Sequence, residues 1–256
     1  CRIMNSEGET LHQQVFIKDT IGIGNCIPVG TYLFDPAGIQ KALKLTLEVS
    51  IENTPYRNKC DLWIYPLQNE IDKGNVVVTD KLDNNVDDIL RRGGSVLPLI
   101  YSKTAKNKGA QVAIGFSSIF WNTAWTNNQA PHTLGILCDP EHPVFSEFPT
   151  EYHSNWQWWD PVTHSQAIIL DDFPADLKPL IQPIDTWFEN RRLALAFEGK
   201  TGKVKLLGCS IDLDDITEER LVSKQLLLSV FKYMNSDEFN PTIEIDLNQV
   251  RNLIVK

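Results

Sequence analysis

At 256 residues the chain is long enough for one large domain or two smaller ones, each with its own core. Hydrophobic residues at 42% and charged residues at 22% are ordinary for a globular protein, while a net charge of −9 with scattered lysines and arginines argues against a general nucleic-acid binder. No apolar run approaches the roughly 18 residues of a membrane span, and no basic start leads into an apolar stretch, so neither a membrane span nor a signal peptide is expected.

Cys1 reads as an ordinary thiol or as the lipid-bearing first residue of a mature lipoprotein. Residues 15–20 and 43–51 alternate apolar and polar side chains with period two, and 61–65 forms another short strand closed by Pro66. Turn signals at 27–30 and 35–38 separate them. Antiparallel strands with one wet face fit a β-sandwich, and four or five strands in residues 1–66 make only part of one.

The polar stretch 68–74 reads as a boundary, after which the pattern changes. Residues 75–79 are a short continuous apolar strand of the kind buried on both faces. Val86, Ile89 and Leu90 at helical spacing, a Gly93-Gly94 stop and a strand at 95–100 complete a βαβ unit. Further strands are expected at 112–115, 133–137 and 167–170, and 193–197 and 203–209 flank a glycine-bearing hairpin turn. Residues 221–234 carry the strongest helix, with Leu226, Leu227, Val230, Phe231 and Met234 on one side, and a strand-and-helix tail follows Pro241. Residues 74–240 therefore read as a three-layer α/β domain.

The segment 148–160 packs Trp156, Trp158 and Trp159 beside His153, Asn155 and Asp160. Three indoles so close cannot all be buried cheaply, because each N–H needs a partner. Two readings fit: a sugar platform, or an aromatic corner packed against a neighbouring domain or subunit. Trp121, Asn122 and Trp125 pose the same question and can join the same cluster.

Of the chemistry-bearing residues, His132, His142, His153 and His164 fall within 33 positions but lack the i, i+4 spacing that zinc hydrolases use, so no metal site is expected. No nucleophile elbow occurs; Ser117-Ser118 is the only loosely placed hydroxyl pair. The acidic groups Asp171-Asp172, Asp212, Asp214-Asp215 and Glu218-Glu219 fix no catalytic pair and fit caps or solvated faces. Residues 199–202 lack phosphate-loop spacing, and no cofactor is expected. Of five cysteines, Cys138 and Cys209 sit in apolar runs and read as buried, whereas Cys26 and Cys60 can pair if the protein is exported.

The strings Gly115-Phe-Ser-Ser-Ile-Phe-Trp-Asn-Thr-Ala-Trp125, Gln129-Ala-Pro-His-Thr-Leu-Gly-Ile-Leu-Cys-Asp-Pro-Glu-His-Pro143 and Phe148-Pro-Thr-Glu-Tyr-His-Ser-Asn-Trp-Gln-Trp-Trp159 resemble the C-terminal region of Bacteroidetes glycoside hydrolase family 2 proteins, which are β-galactosidase-like. Leu43-Lys-Leu-Thr-Leu-Glu-Val-Ser-Ile-Glu-Asn-Thr54 and Asp61-Leu-Trp-Ile-Tyr-Pro66 resemble the end of the β-sandwich preceding that region. The resemblance implies a parent enzyme whose jelly-roll, immunoglobulin-like domain and catalytic barrel lie upstream. The barrel carries the catalytic glutamates, so no catalytic residue is assigned here.

With the resemblance, the expected fold is α+β and multidomain. Residues 1–67 form part of an antiparallel, immunoglobulin-like β-sandwich. Residues 74–240 form a three-layer α/β flavodoxin-like domain of the class I glutamine-amidotransferase-like kind, and 241–256 form a tail. No cysteine occupies the strand-to-helix elbow of active amidotransferases, so that activity is not expected. The function implied is a non-catalytic accessory or assembly region of a glycoside hydrolase, or else a carbohydrate-binding module. Its candidate contact residues are Trp121, Asn122, Trp125, His153, Asn155, Trp156, Trp158 and Trp159. The implied partners are the upstream catalytic domain, a carbohydrate ligand and further copies of the chain, in the periplasm, at the cell surface or outside the cell.

Overall fold

The computed structural model describes residues 1–18, 20–24, 26–67, 70–82, 94–101, 103, 108–116, 132–213 and 219–254. The chain divides into two compact units, Cys1–Asn69 and Glu70–Lys256. The fold is α+β, built mostly from β-sheet with few helices among the described residues.

In the first unit, β1 (Arg2–Met4), β2 (Thr10–Gln13), β3 (Leu43–Ser50) and β4 (Arg57–Ile64) form an antiparallel sheet in the order β2-β1-β3-β4. The period-two pattern of 43–50 sets its register. Leu45 faces Leu62 across the ladder and Leu47 faces Ile3 and Cys60, which gathers apolar side chains on one face. The other face is charged: Lys44 meets Asp61 at 2.9 Å, and Arg2 meets the buried carboxylate of Glu48 at 2.6 Å. The hydrogen bond from Arg2 holds the Glu48 carboxyl below the usual carboxylate range.

The strand expected at 15–20 does not form among its described residues. Val15 and Ile17 alternate correctly but stay exposed, with no neighbouring strand to pair with. Cys26 and Cys60 are both free thiols on the surface.

In the second unit, six strands form one mixed sheet. In chain order they are β5 (Val77–Thr79), β6 (Ser95–Pro98), β7 (Ile136–Cys138), β9 (Pro179–Pro183), β11 (Ala196–Thr201) and β12 (Val204–Cys209). The spatial order is β5-β6-β12-β11-β9-β7. β5 and β6 run parallel, as the βαβ reading requires, and β6 runs parallel to β12, while the remaining three pairings are antiparallel. The sheet is thus mixed, not wholly parallel. β8 (Ile168–Ile169) and β10 (Leu193–Ala194) form a small antiparallel pair. The helix expected between β5 and β6 lies outside the described residues.

β11 and β12 close through Gly202, whose φ of +59° suits the first position of a tight two-residue hairpin turn. β9 escapes the sequence pattern because a proline stands at each end of its five residues. Of the strand expected at 112–115, Ala113 and Gly115 are hydrogen-bonded beside 133–135 but complete no ladder, and Val112 closes a turn onto Gly109.

Both faces of this sheet are covered. On one, helix α2 (Leu221–Met234) turns Leu226, Val230 and Phe231 onto Leu97, Ile136 and Leu207, with Phe148 and Trp158 in the same core. On the other, the chain after Asn240 lays Ile245, Val250 and Leu253 over Phe197 and Leu206. A capping box at Asp246 and Gln249 starts the short helix α3 (Leu247–Arg251) that carries the middle of that layer. No described helix is long and apolar enough to cross a membrane.

Candidate functional site

The strand β7 is the edge of the six-stranded sheet, and the segment rich in tryptophan is fastened to it. Leu137 bridges His153, the Cys138 N–H donates to the Tyr152 carbonyl at 3.1 Å, and the Cys138 thiol donates to the Glu151 carbonyl at 3.1 Å. Gly135, at φ +89°, leaves room for the Ser154 hydroxyl, which donates to the Phe116 carbonyl at 3.0 Å.

From there Asn155 starts a turn of 3-10 helix, Trp156–Trp158. Its side chain accepts from the Gln157 N–H at 3.0 Å and donates to Glu151 at 3.0 Å. The turn runs straight into helix α1 (Trp159–Thr163). With about three residues per turn, positions 156 and 159 share a face and 158 is turned away from both. Trp158 is accordingly 0% exposed, packed edge-on against Phe148 at 5.2 Å, with its indole N–H on the Thr150 hydroxyl at 2.7 Å. It is a core residue and presents no face to a ligand or partner, which corrects its place among the candidates.

Trp156 is 72% exposed and Trp159 52% exposed, their rings 6.2 Å apart at 51°, with Phe116 packed against both at 5.8 and 5.3 Å. His153 and Tyr152 are exposed beside them. Trp121, Asn122 and Trp125, like Ser117 and Ser118, lie outside the described residues, as do Asp214, Asp215 and Glu218.

A second aromatic pair, not singled out from sequence, stands on the loop after β9. Ile184 exchanges backbone hydrogen bonds with Leu134 and Gly135, which tie the loop to the chain leading into β7. The Asp185 carboxylate accepts from the Arg191 guanidinium at 2.8 and 3.1 Å and from the N–H groups of Arg191 and Thr186. Burial works to raise the Asp185 carboxyl, and these hydrogen bonds outweigh it, leaving its pKa below the ordinary value. This clasp closes the base of the loop and leaves Trp187 and Phe188 exposed at its tip, with ring centroids 5.8 Å apart. The sequence signal was an Asp and an Arg bracketing two adjacent aromatics.

The polar surroundings are structural. Asp160 accepts from Arg220 at 3.0 Å, from Ser223 and from His164 at 2.9 Å, which clasps α1 to the start of α2. His142 accepts from the Val144 N–H at 3.2 Å and caps a turn, and His132 bonds the Thr133 carbonyl at 2.7 Å. The four histidines therefore serve separate local contacts. Among the described residues no group of three or more His, Cys, Asp or Glu is placed to hold a metal ion. Cys138 and Cys209 are buried, and burial pushes both thiols up to about 12, far from a reactive thiolate at neutral pH.

Residues 77–255 match the family described as "Domain of unknown function (DUF8487)", and the chain belongs to that family. Residues 1–66 match a second, described as "Domain of unknown function (DUF8488)". No curated protein matches the chain.

Proposed function

We propose that this chain is a non-catalytic assembly region of a β-galactosidase-like glycoside hydrolase, and that the aromatic surface along the β7 edge is where it packs against the catalytic part of that enzyme. One observation carries the reading. In the second unit, every described large hydrophobic side chain left exposed sits on β7, on 152–159, on 184–188 or at Leu221. Those segments are joined by hydrogen bonds: Cys138 to Tyr152, Ile184 to Gly135, and Arg220 to Asp160. Concentrated exposure of this kind, rich in Trp, Tyr and Phe, is what protein contact surfaces use.

A carbohydrate-binding module is the competing reading. A flat polysaccharide platform calls for coplanar rings, and the 51° tilt between Trp156 and Trp159 favours a shaped protein partner instead. The amidotransferase-like reading of the second unit is supported by the parallel run β5-β6-β12, and the immunoglobulin-like reading of the first by its antiparallel sheet. Placement in the periplasm or at the cell surface belongs to the same proposal.

The test is a titration of the whole chain, followed by tryptophan fluorescence, first with the catalytic region of the parent glycoside hydrolase and then with galactosides and plant-type oligosaccharides. The proposal expects saturable association with the protein and none with sugar. Replacing Trp156 and Trp159 together by Ala should weaken that association at least about tenfold, as loss of contact hot spots does. Saturable quenching by oligosaccharides without protein association would establish the carbohydrate-binding alternative.

A further inference from the structure

The outer edge of β4 is written to pair with itself. β4 ends the four-stranded sheet, and its far side has no strand beside it among the described residues. The Ile51 N–H donates to the Tyr56 carbonyl at 3.1 Å, so 51 and 56 are a hydrogen-bonded pair at the head of the β3–β4 hairpin. Antiparallel pairs alternate, and the register runs without a break from Ser50↔Arg57 to Leu43↔Ile64. The even-numbered residues of β4 therefore turn their backbone groups toward β3. Arg57, Lys59, Asp61 and Trp63 turn theirs outward.

A second β4 running antiparallel can bond this edge only where outward residues meet outward residues. The registers centred on the strand are then three. One sets Lys59 against Lys59 of the other copy, a repulsion on the two-fold axis between two Arg57–Asp61 pairs, and another sets Asp61 against Asp61; like charges directly opposed are destabilising. The third sets Lys59 against Asp61 and Asp61 against Lys59, two opposite-charge pairs. It also brings Arg57 against Trp63 twice, a cation over an indole, and puts Cys60 opposite Cys60 on the two-fold axis. Across the sheet this makes a row of alternating charge, since Arg2 already faces Glu48 and Glu48 already faces Lys59. Cys60 is exposed, at a position where opposing Cα atoms approach to about 4.5 Å, within disulfide reach.

The geometry points to a second copy of this chain as the partner of β4, the two sheets joining into one of eight strands through the Lys59–Asp61 register. The inference stands apart from the aromatic surface and does not depend on it.

The test uses the whole chain. Sedimentation equilibrium should give twice the 29.1 kDa of one chain. Copper(II)–phenanthroline should link the copies, two Cys60 thiols passing two electrons to two copper(II) ions and releasing two protons to water as one S–S bond forms. Cys60→Ser should abolish the link and leave the dimer. Asp61→Lys and Lys59→Asp should each weaken self-association at least about tenfold, because two attractions become two repulsions. An equimolar mixture of those two variants should dimerise again, since every opposed pair is then of opposite charge, and that recovery shows both are folded. A wild-type monomer at about 50 μM, the micromolar range typical of weak association, a link through another cysteine, or variants that dimerise separately but gain nothing on mixing would each overturn the proposal.

Discussion

Trp156, Trp158 and Trp159 show how three identical side chains within four positions come to different ends. The 3-10 turn aims one at Phe148 and Thr150 and two at solvent. Replacing Trp158 by Ala should cost about 3–5 kcal/mol in urea unfolding, the range for a large aromatic lost from a core. Trp156→Ala should change stability by about 0.5 kcal/mol or less. Equal costs for the two would contradict the assignment. Asp185 sets a pH dependence of definite sign. Its folded pKa lies below its unfolded value, so the stability it contributes is present above about pH 4 and is lost as pH falls through the folded value. The gap in stability between wild type and Asp185→Asn should therefore be widest near pH 6 and narrow toward pH 3. A gap independent of pH would show that the Arg191 clasp is not its source.

At the scale of elements, α2 does more than cover the sheet. The Ser229 hydroxyl donates to the Val144 carbonyl at 2.7 Å and accepts from the Glu147 N–H at 3.0 Å, while the Gln225 amide donates to the Glu147 carbonyl at 2.6 Å. These bonds hold the turn 143–148 from which the aromatic segment grows. Ser229→Ala leaves a buried carbonyl and an N–H without partners, and should cost about 1–3 kcal/mol. Faster hydrogen exchange at the Glu147 amide should accompany the loss, and unchanged exchange there would contradict it.

Elements of this kind were legible in the sequence where pattern and partner agreed. The alternation of 43–50, the apolar runs around 77–79 and 95–98, and the helical stripe of 221–234 each found the neighbour they needed. Residues 15–17 had the pattern and no neighbour. β9 had neighbours on both sides and prolines in place of a pattern. Which indole is buried, and that 184–188 joins the same surface, depended on the 3-10 turn and the Asp185 clasp. Neither has a sequence period.

At the scale of the whole molecule, the second unit supplies two buried clusters on either face of a mixed sheet and concentrates its exposed aromatics at one edge. The first unit is different. Its buried apolar side chains are Ile3, Met4 and Leu45, while Val15, Ile17, Ile21, Ile23 and Leu33 stay exposed. A sheet with so little covered hydrocarbon gains stability from whatever polypeptide packs on it. Both units thus present surfaces suited to association, one through side chains along β7 and one through the backbone edge of β4.

The most direct measurement is hydroxyl-radical footprinting of Trp156, Trp159, Trp187 and Phe188 in the isolated chain and in the glycoside hydrolase proposed here as its parent. All four should be labelled in the isolated chain and protected in the parent, with Trp158 unlabelled in both. Equal labelling of the four in both forms would mean that nothing packs on the β7 edge, and the assembly reading would fail.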